Sequence, residues 1–275
     1  MRKVLLATTA LVAVSGVTAA NADISISGNY EFEYVSAASN EIGSDGNIVI
    51  DASVADAGGI NYSWVGNITA GNDTGAFEET YIAISSPDMG TLYLGDLNDS
   101  ANGLMDGNLA INNDIESEDA TTGTSTVIQT QEVGITFISP SVGGLKFGLS
   151  ADPEAETTEY AINYSMAGMS LYYGATETQT AVGVKGSLAG FTVAVGSSST
   201  DDAVTKASDV AVKYTLPNGI TVAALKAKGT LVDGTRVEYN NFGASYSITD
   251  GVTAKVETGD GNDGEYTTVN LSVSF

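Results

Sequence analysis

Ile24-Ser25-Ile26-Ser27-Gly28-Asn29-Tyr30-Glu31-Phe32-Glu33-Tyr34 alternates without a break. Even positions carry Ile, Ile, Gly, Tyr, Phe and Tyr; odd positions carry Ser, Ser, Asn, Glu and Glu. A helix would scatter both sets around its surface. A strand sends successive side chains to opposite sides, so this stretch has one greasy and one wettable face. The same phase recurs along the chain. Leu145, Phe147 and Leu149 alternate with Lys146, Gly148 and Ser150. Val210, Val212, Tyr214 and Leu216 alternate with Ala211, Lys213 and Thr215. Val252, Ala254 and Val256 alternate with Thr253, Lys255 and Glu257, and Val269, Leu271, Val273 and Phe275 close the chain in the same rhythm.

Between these segments the punctuation comes in two sizes. Short turns fall at 57–59, 87–90, 142–144, 167–168, 189–190, 217–219 and 250–251, most with the Gly that tight hairpins favour. Longer acidic connections are expected at 36–46, 70–78, 97–130, 151–157, 176–179, 197–207, 228–236 and 258–265. Seven short turns alternating with eight long connections predict 16 strands. An even strand count, short turns on one side and long loops on the other is the plan of a transmembrane antiparallel up-and-down β-barrel. Lipid offers no hydrogen bonds to a sheet edge, so such a sheet must close. The fold expected is therefore all-β, with a lumen too wide for side chains to fill. A soluble β-sandwich or a solenoid adhesin is the competing reading; both alternate, but neither needs loops of systematically unequal length.

Composition narrows the chemistry. The 275 residues include no Cys and no His. Disulfides, thiol catalysis, a Ser-His-Asp triad and His-ligated metals are excluded, and no enzyme activity is expected. Acidic residues number 34 against 10 basic, which argues against nucleic acid as a partner. Arg2 and Lys3, then an apolar run from Val4 to Val17, then Ala20-Asn21-Ala22, read as an export signal over residues 1–22 cut after Ala22. Removing it leaves 8 basic residues and a net charge of −26 on residues 23–275.

The leader, the 16-strand meander, the long connection after the fifth strand and the terminal aromatic resemble the trimeric general porins of Gram-negative outer membranes. The Ser27–Tyr34 stretch, Glu79-Thr80-Tyr81-Ile82-Ala83-Ile84 and Gly90-Thr91-Leu92-Tyr93-Leu94-Gly95-Asp96 are similar to the alphaproteobacterial group. The ending Val269-Asn270-Leu271-Ser272-Val273-Ser274-Phe275 looks like that family's assembly signal. The resemblance implies an outer-membrane location in a Gram-negative bacterium, a homotrimer surrounded by lipid, and recognition of Phe275 by the barrel-insertion machinery. It also implies that the third loop, 97–130, folds into the lumen as a constriction. The candidate constriction acids are then Asp99, Asp106, Asp114, Glu116, Glu118 and Asp119, with Leu104, Met105, Leu109 and Ile111 packing the loop on the wall. Loop 70–78 resembles the family's latch into a neighbouring subunit.

The chain departs from the family in one respect. It has no Lys or Arg between residues 23 and 145, so the early-strand arginine cluster is missing. Lumen-wall candidates are Glu31, Glu33, Lys146, Lys185, Lys213 and Lys255, because a cation on the lipid face costs about 2–4 kcal/mol at mid-bilayer. Lys226, Lys228 and Arg236 sit near strand ends and their side is undetermined. The charge balance predicts a cation-selective, passive channel for small hydrophilic solutes. A substrate-specific channel is the alternative, but Tyr62, Trp64 and Tyr93 are too few for an aromatic slide. No cofactor is expected. Asp260, Asn262 and Asp263 show only a fragment of a calcium-loop spacing, and an ordinary loop tip is the favoured reading.

Overall fold

The computed structural model describes residues 23–37, 40–56, 58–69, 77–97, 101–105, 134–153, 155–200, 204–231, 233–261 and 264–275. The alternating segments form β1 (Asp23–Ser36), β2 (Asn40–Ala55), β3 (Asn61–Thr69), β4 (Phe77–Ser86), β5 (Gly90–Asp96), β6 (Ile135–Ile138), β7 (Leu145–Asp152) and β8 (Thr157–Met166). They continue as β9 (Met169–Ala175), β10 (Gln179–Leu188), β11 (Phe191–Thr200), β12 (Val204–Thr215), β13 (Thr221–Leu231), β14 (Arg236–Thr249), β15 (Val252–Gly261) and β16 (Gly264–Ser274). Each strand pairs with its sequence neighbours, and β1 pairs with β16, so the sheet closes into an antiparallel up-and-down barrel. Closure reaches the last residue: Phe275 and Gly28 exchange two backbone hydrogen bonds at 3.0 Å. No unpaired edge is left between first and last strands, as a sheet in lipid requires.

The short turns follow from local backbone chemistry. Ala167 and Gly168 both have positive φ (52° and 79°), as do Ala189 and Gly190 (52° and 84°). Two consecutive positive φ values match the right-handed twist of the strands they join. At Gly144 (φ 86°) a Cβ would also lie 2.1 Å from the Ser165 carbonyl oxygen, so a larger residue is excluded twice over.

The opposite side differs from expectation. Four of the eight long connections are much shorter than their composition suggests. β1 runs to Ser36 and β2 starts at Asn40, where a loop over 36–46 was expected. β11 ends at Thr200 and β12 starts at Val204; β13 ends at Leu231 and β14 starts at Arg236; β15 ends at Gly261 and β16 starts at Gly264. The polar residues read as loop are strand extended past the apolar belt. A ladder is held by backbone bonds, and above the bilayer the side chains on both faces are wet, so the alternation vanishes while the pairing continues.

The register sorts the side chains into two faces. On β7, Leu145, Phe147 and Leu149 are 45–53% exposed in the isolated chain, while Ser150 between neighbouring strands is fully buried. The exposed series continues around the wall with Ile162, Leu171, Val182, Val195, Val212 and Leu271, among others. Such a continuous belt far exceeds the few hundred Å² that a water-soluble monomer tolerates; its solvent is hydrocarbon. Small residues fill the inner side: Ala161, Ala181, Ala194, Ala211 and Ala227 are each at most 2% exposed.

Candidate pore lining

The inner face begins with Glu31 and Glu33 of β1, opposite Ser272 and Asn270 of β16. Lys255, opposite Asn270 on β15, reaches Glu31 Oε2 at 3.4 Å. Asn270 Nδ2 donates to the other oxygen of the same carboxylate. A carboxylate of β1 and an ammonium of β15 thus meet across β16, whose Asn270 amide bonds the same carboxylate. Higher on the same wall, the Tyr239 and Tyr266 hydroxyls share a hydrogen bond. Asn241 Nδ2 donates to the Tyr266 oxygen at 2.8 Å, and the Tyr266 hydroxyl donates to Glu257 Oε1 at 3.3 Å. The Tyr266 ring lies flat because its cross-strand partner is Gly259, where a Cβ would sit 2.5 Å from the Tyr266 oxygen. Tyr172 lies over Gly183 in the same way, with 2.1 Å left for a Cβ.

A second feature crosses the inner face. The 3-10 helix Ala101–Leu104 follows β5 and packs on β7, β8 and β9. The Ala101 N–H donates to Ser150 Oγ at 2.6 Å, and Ser150 Oγ is also 2.9 Å from Thr136 Oγ1. Asn163 Nδ2 donates to the Leu104 carbonyl at 2.8 Å. Ala101 and Met105, at 0% and 4% exposure, cluster with Ala161, Tyr172 and Ala181, with Leu104 packed against them. Ser150, Ala161, Asn163, Tyr172 and Ala181 all share the inward phase, so this start of the longest connection rests on the inside of the wall.

The expected wall residues can now be placed. Glu31, Glu33, Lys146, Lys185, Lys213 and Lys255 all occupy the inward phase; Lys146 pairs across from Asn163, Lys185 from Ser170 and Ala194, and Lys213 from Thr192 and Ala223. Within this set Glu31 and Lys255 are joined by a salt bridge. Of the expected constriction acids, Asp99, Asp106, Asp114, Glu116, Glu118 and Asp119 lie outside the described residues, as do Leu109 and Ile111. Asn262 and Asp263 lie outside them too; Asp260 accepts hydrogen bonds from the Asn240 backbone N–H and Nδ2 at 3.2 and 2.8 Å. Among the described residues no three potential metal ligands gather. Of the three aromatics considered for a slide, Tyr62 and Trp64 share the outward phase of Ile84 and Ile82, while Tyr93 is inward and stacks edge-on with Tyr81 at 5.6 Å.

Sequence reasoning passed over Glu159, Asp209 and Glu257, which are inward and at most 8% exposed. The signal was present: Glu159 is in phase with Ala161 and Asn163, Asp209 with Lys213, and Glu257 with Lys255. Counting carboxylates by phase, as the lysines were counted, finds them.

A barrel closed in lipid around a wall of carboxylates, amides and ammonium groups defines a bacterial outer-membrane channel. A family profile described as Gram-negative porin matches residues 7–275, and the chain belongs to that family. Solved structures agree in fold. A mutant of Rh. blastica porin superposes with a TM-score of 0.75 at 16% identity, covering 92% of this chain and all of that one. Salmonella typhi OmpF in complex with daunomycin gives 0.69 at 13%, covering 92% and 97%. Vibrio cholerae OmpT in its trimer form gives 0.70 at 10%, covering 92% and 99%. No curated protein sequence matches significantly.

Proposed function

We propose that this porin is a cation-selective channel for passive diffusion of small hydrophilic solutes. The observation that carries the reading is the inner wall itself. Glu31, Glu33, Glu159, Asp209 and Glu257 face inward among four inward lysines, on a chain whose residues 23–275 carry a net −26. Fixed carboxylates in a narrow aqueous path concentrate cations and exclude anions. The remainder of 97–130 continues from the wall-bound Ala101–Leu104 segment across the lumen, and its six acids make the narrowest section more negative. Residues 1–22 serve as the export signal and are removed after Ala22. Phe275, paired with Gly28 at the closure, supplies the terminal signal to the insertion machinery. The working unit is a homotrimer, as the solved Vibrio cholerae neighbour's trimer form suggests.

The deciding experiment is a reversal potential across a planar bilayer under a potassium chloride gradient. Cation preference is expected. Anion preference, or none, overturns the charge argument while leaving the barrel intact.

A further inference from the structure

The seam where the barrel closes holds a surplus of negative charge. Glu33 of β1 stands directly across from Asn270 of β16, and Glu257 of β15 directly across from Thr268. The two carboxylates bracket Asn270 and Thr268 from opposite sides, all on the inward face. All four residues are buried, Glu257 at 2% exposure and Asn270 at 1%. Glu31, the next inward residue along β1, adds a third carboxylate, and Lys255 adds the one local ammonium. Two negative charges are left over. No other basic side chain stands nearby to take them up. There is none between residues 23 and 145, and so none in the long connection 97–130. The other inward lysines sit on β7, β10 and β12, three or more strands from β15. Lys206, Lys226, Lys228 and Arg236 are on the outward phase. Arg2 and Lys3 leave with the export signal.

An independent sign comes from acceptors left open. Asn270 Nδ2 donates to Glu31, and only the nitrogen end of an amide can face a carboxylate. Asn270 Oδ1 is thereby turned from Glu31, to the side of Thr268 and Glu257, where it is buried and accepts no hydrogen bond among the described residues. Asn241 repeats the pattern. Its Nδ2 donates to the Tyr266 oxygen, whose own proton goes to Glu257 Oε1, and Asn241 Oδ1 is buried without a donor. The amide donors of the patch are spent, and what faces its centre is oxygen. Buried acceptors without donors are rare in folded proteins. Two of them beside surplus carboxylates make the surroundings of a bound cation.

We propose that the closing seam binds a divalent cation, calcium by preference, between Glu33 and Glu257, with Asn270 Oδ1 and Thr268 Oγ1 as neutral ligands. Charge balance calls for two positive charges, and donors that are all oxygen suit a hard ion. Among the described residues no three acids gather into a cage of charged ligands, so the amide and hydroxyl oxygens complete the set. Ligands spaced by a sheet do not close the tight octahedron that magnesium demands, whereas calcium accepts about six to eight oxygens in irregular arrangement. The ion ties β1 to β15 across β16, the strand on which the barrel closes. The site rests on removal of residues 1–22 and holds whichever ion the pore prefers.

The probe is terbium(III), a luminescent stand-in for calcium, added to the complete mature barrel in detergent after EDTA treatment. Tyr266 is hydrogen-bonded to Glu257, so tyrosine excitation sensitises a terbium ion held there. Saturable emission is expected, displaced by calcium at about 10⁻⁴–10⁻³ M and by magnesium only at roughly tenfold higher concentration. E257Q and N270A should each lower the emission about fivefold or more, since each removes a ligand. D233N changes an exposed acid of the β13–β14 connection and should leave it unchanged. Calcium should also raise the temperature of heat-modifiable gel migration in the parent and not in E257Q. Emission unchanged in E257Q, or equal displacement by calcium and magnesium, overturns the proposal. So does a heat transition that responds to acid but not to calcium, because Glu33 and Glu257 then share a proton in place of the ion. If neither variant folds, the EDTA-treated parent decides alone: no calcium-dependent shift of its heat transition sinks the site.

Discussion

Releasing the wall-bound segment 101–105 is the sharpest test of how the channel is narrowed. Ala101 is fully buried, and its N–H is satisfied by Ser150 Oγ at 2.6 Å. Ser150→Ala strands that donor on the wall at a cost of about 1–3 kcal/mol, which multiplies the detached population by roughly 5 to 150. Asn163→Ala removes the bond to the Leu104 carbonyl and adds about 1 kcal/mol. Gly148→Val acts differently. A Cβ there meets Ile138 Cδ1 at 2.9 Å and Ala101 Cβ and Cα at 3.0 and 3.1 Å, so it pushes the segment off while leaving Ser150 and Asn163 in place. Single-channel recording is the assay, with heat-modifiable gel migration to confirm a folded barrel. S150A/N163A and G148V should both raise open-channel noise and change conductance in the same direction, because they undo one contact by two unrelated means. If both fold and conduct like the parent, the segment does not set the constriction, and the lumen placement of 97–130 loses its support.

Three further outcomes are expected. Gly183→Ala drives a methyl into the Tyr172 ring, 2.1 Å from its oxygen, and should destabilise the barrel by about 1–3 kcal/mol in urea titrations in detergent; adding Tyr172→Ala should recover part of that loss. Lys255→Gln removes the cation held 3.4 Å from Glu31 and should move the reversal potential toward stronger cation preference, whereas Glu31→Gln with Glu33→Gln should move it the other way; equal shifts in one direction would contradict the wall-charge reading. Phe275→Ala should lower the amount of barrel assembled in cells while refolding into detergent micelles stays near the parent yield, since the backbone bonds to Gly28 do not need the ring; equal losses in both settings would make Phe275 merely structural.

How far the sequence could be read depends on where its two faces meet different solvents. Within the belt, lipid and water select opposite residue types, so Leu145–Ser150 or Ile24–Tyr34 announce strand and phase together, and the alternation of short turns with longer connections between such segments led to 16 strands. Beyond the belt both faces are wet. There the contrast disappears, Asn40–Gly46 reads as loop although it pairs with Tyr30–Ser36, and only the hydrogen-bond register shows the strand continuing. The same loss of contrast left Lys226, Lys228 and Arg236 without a side. Their neighbours Thr230 and Glu238 are polar too, and only the pairing of Lys228 with Glu238 and of Lys226 with Asn240 carries the outward phase of Phe242 up to them. The inner wall poses the reverse difficulty. A wet lumen accepts any polar side chain, so phase alone puts Ser, Asn, Lys and Glu on equal terms. What distinguishes Glu257 or Asn270 is a partner on the neighbouring strand: Tyr266 for one, Glu31 for the other. Those partners are set by register and shear, which shift every cross-strand neighbour at once while leaving the alternation in each strand unchanged.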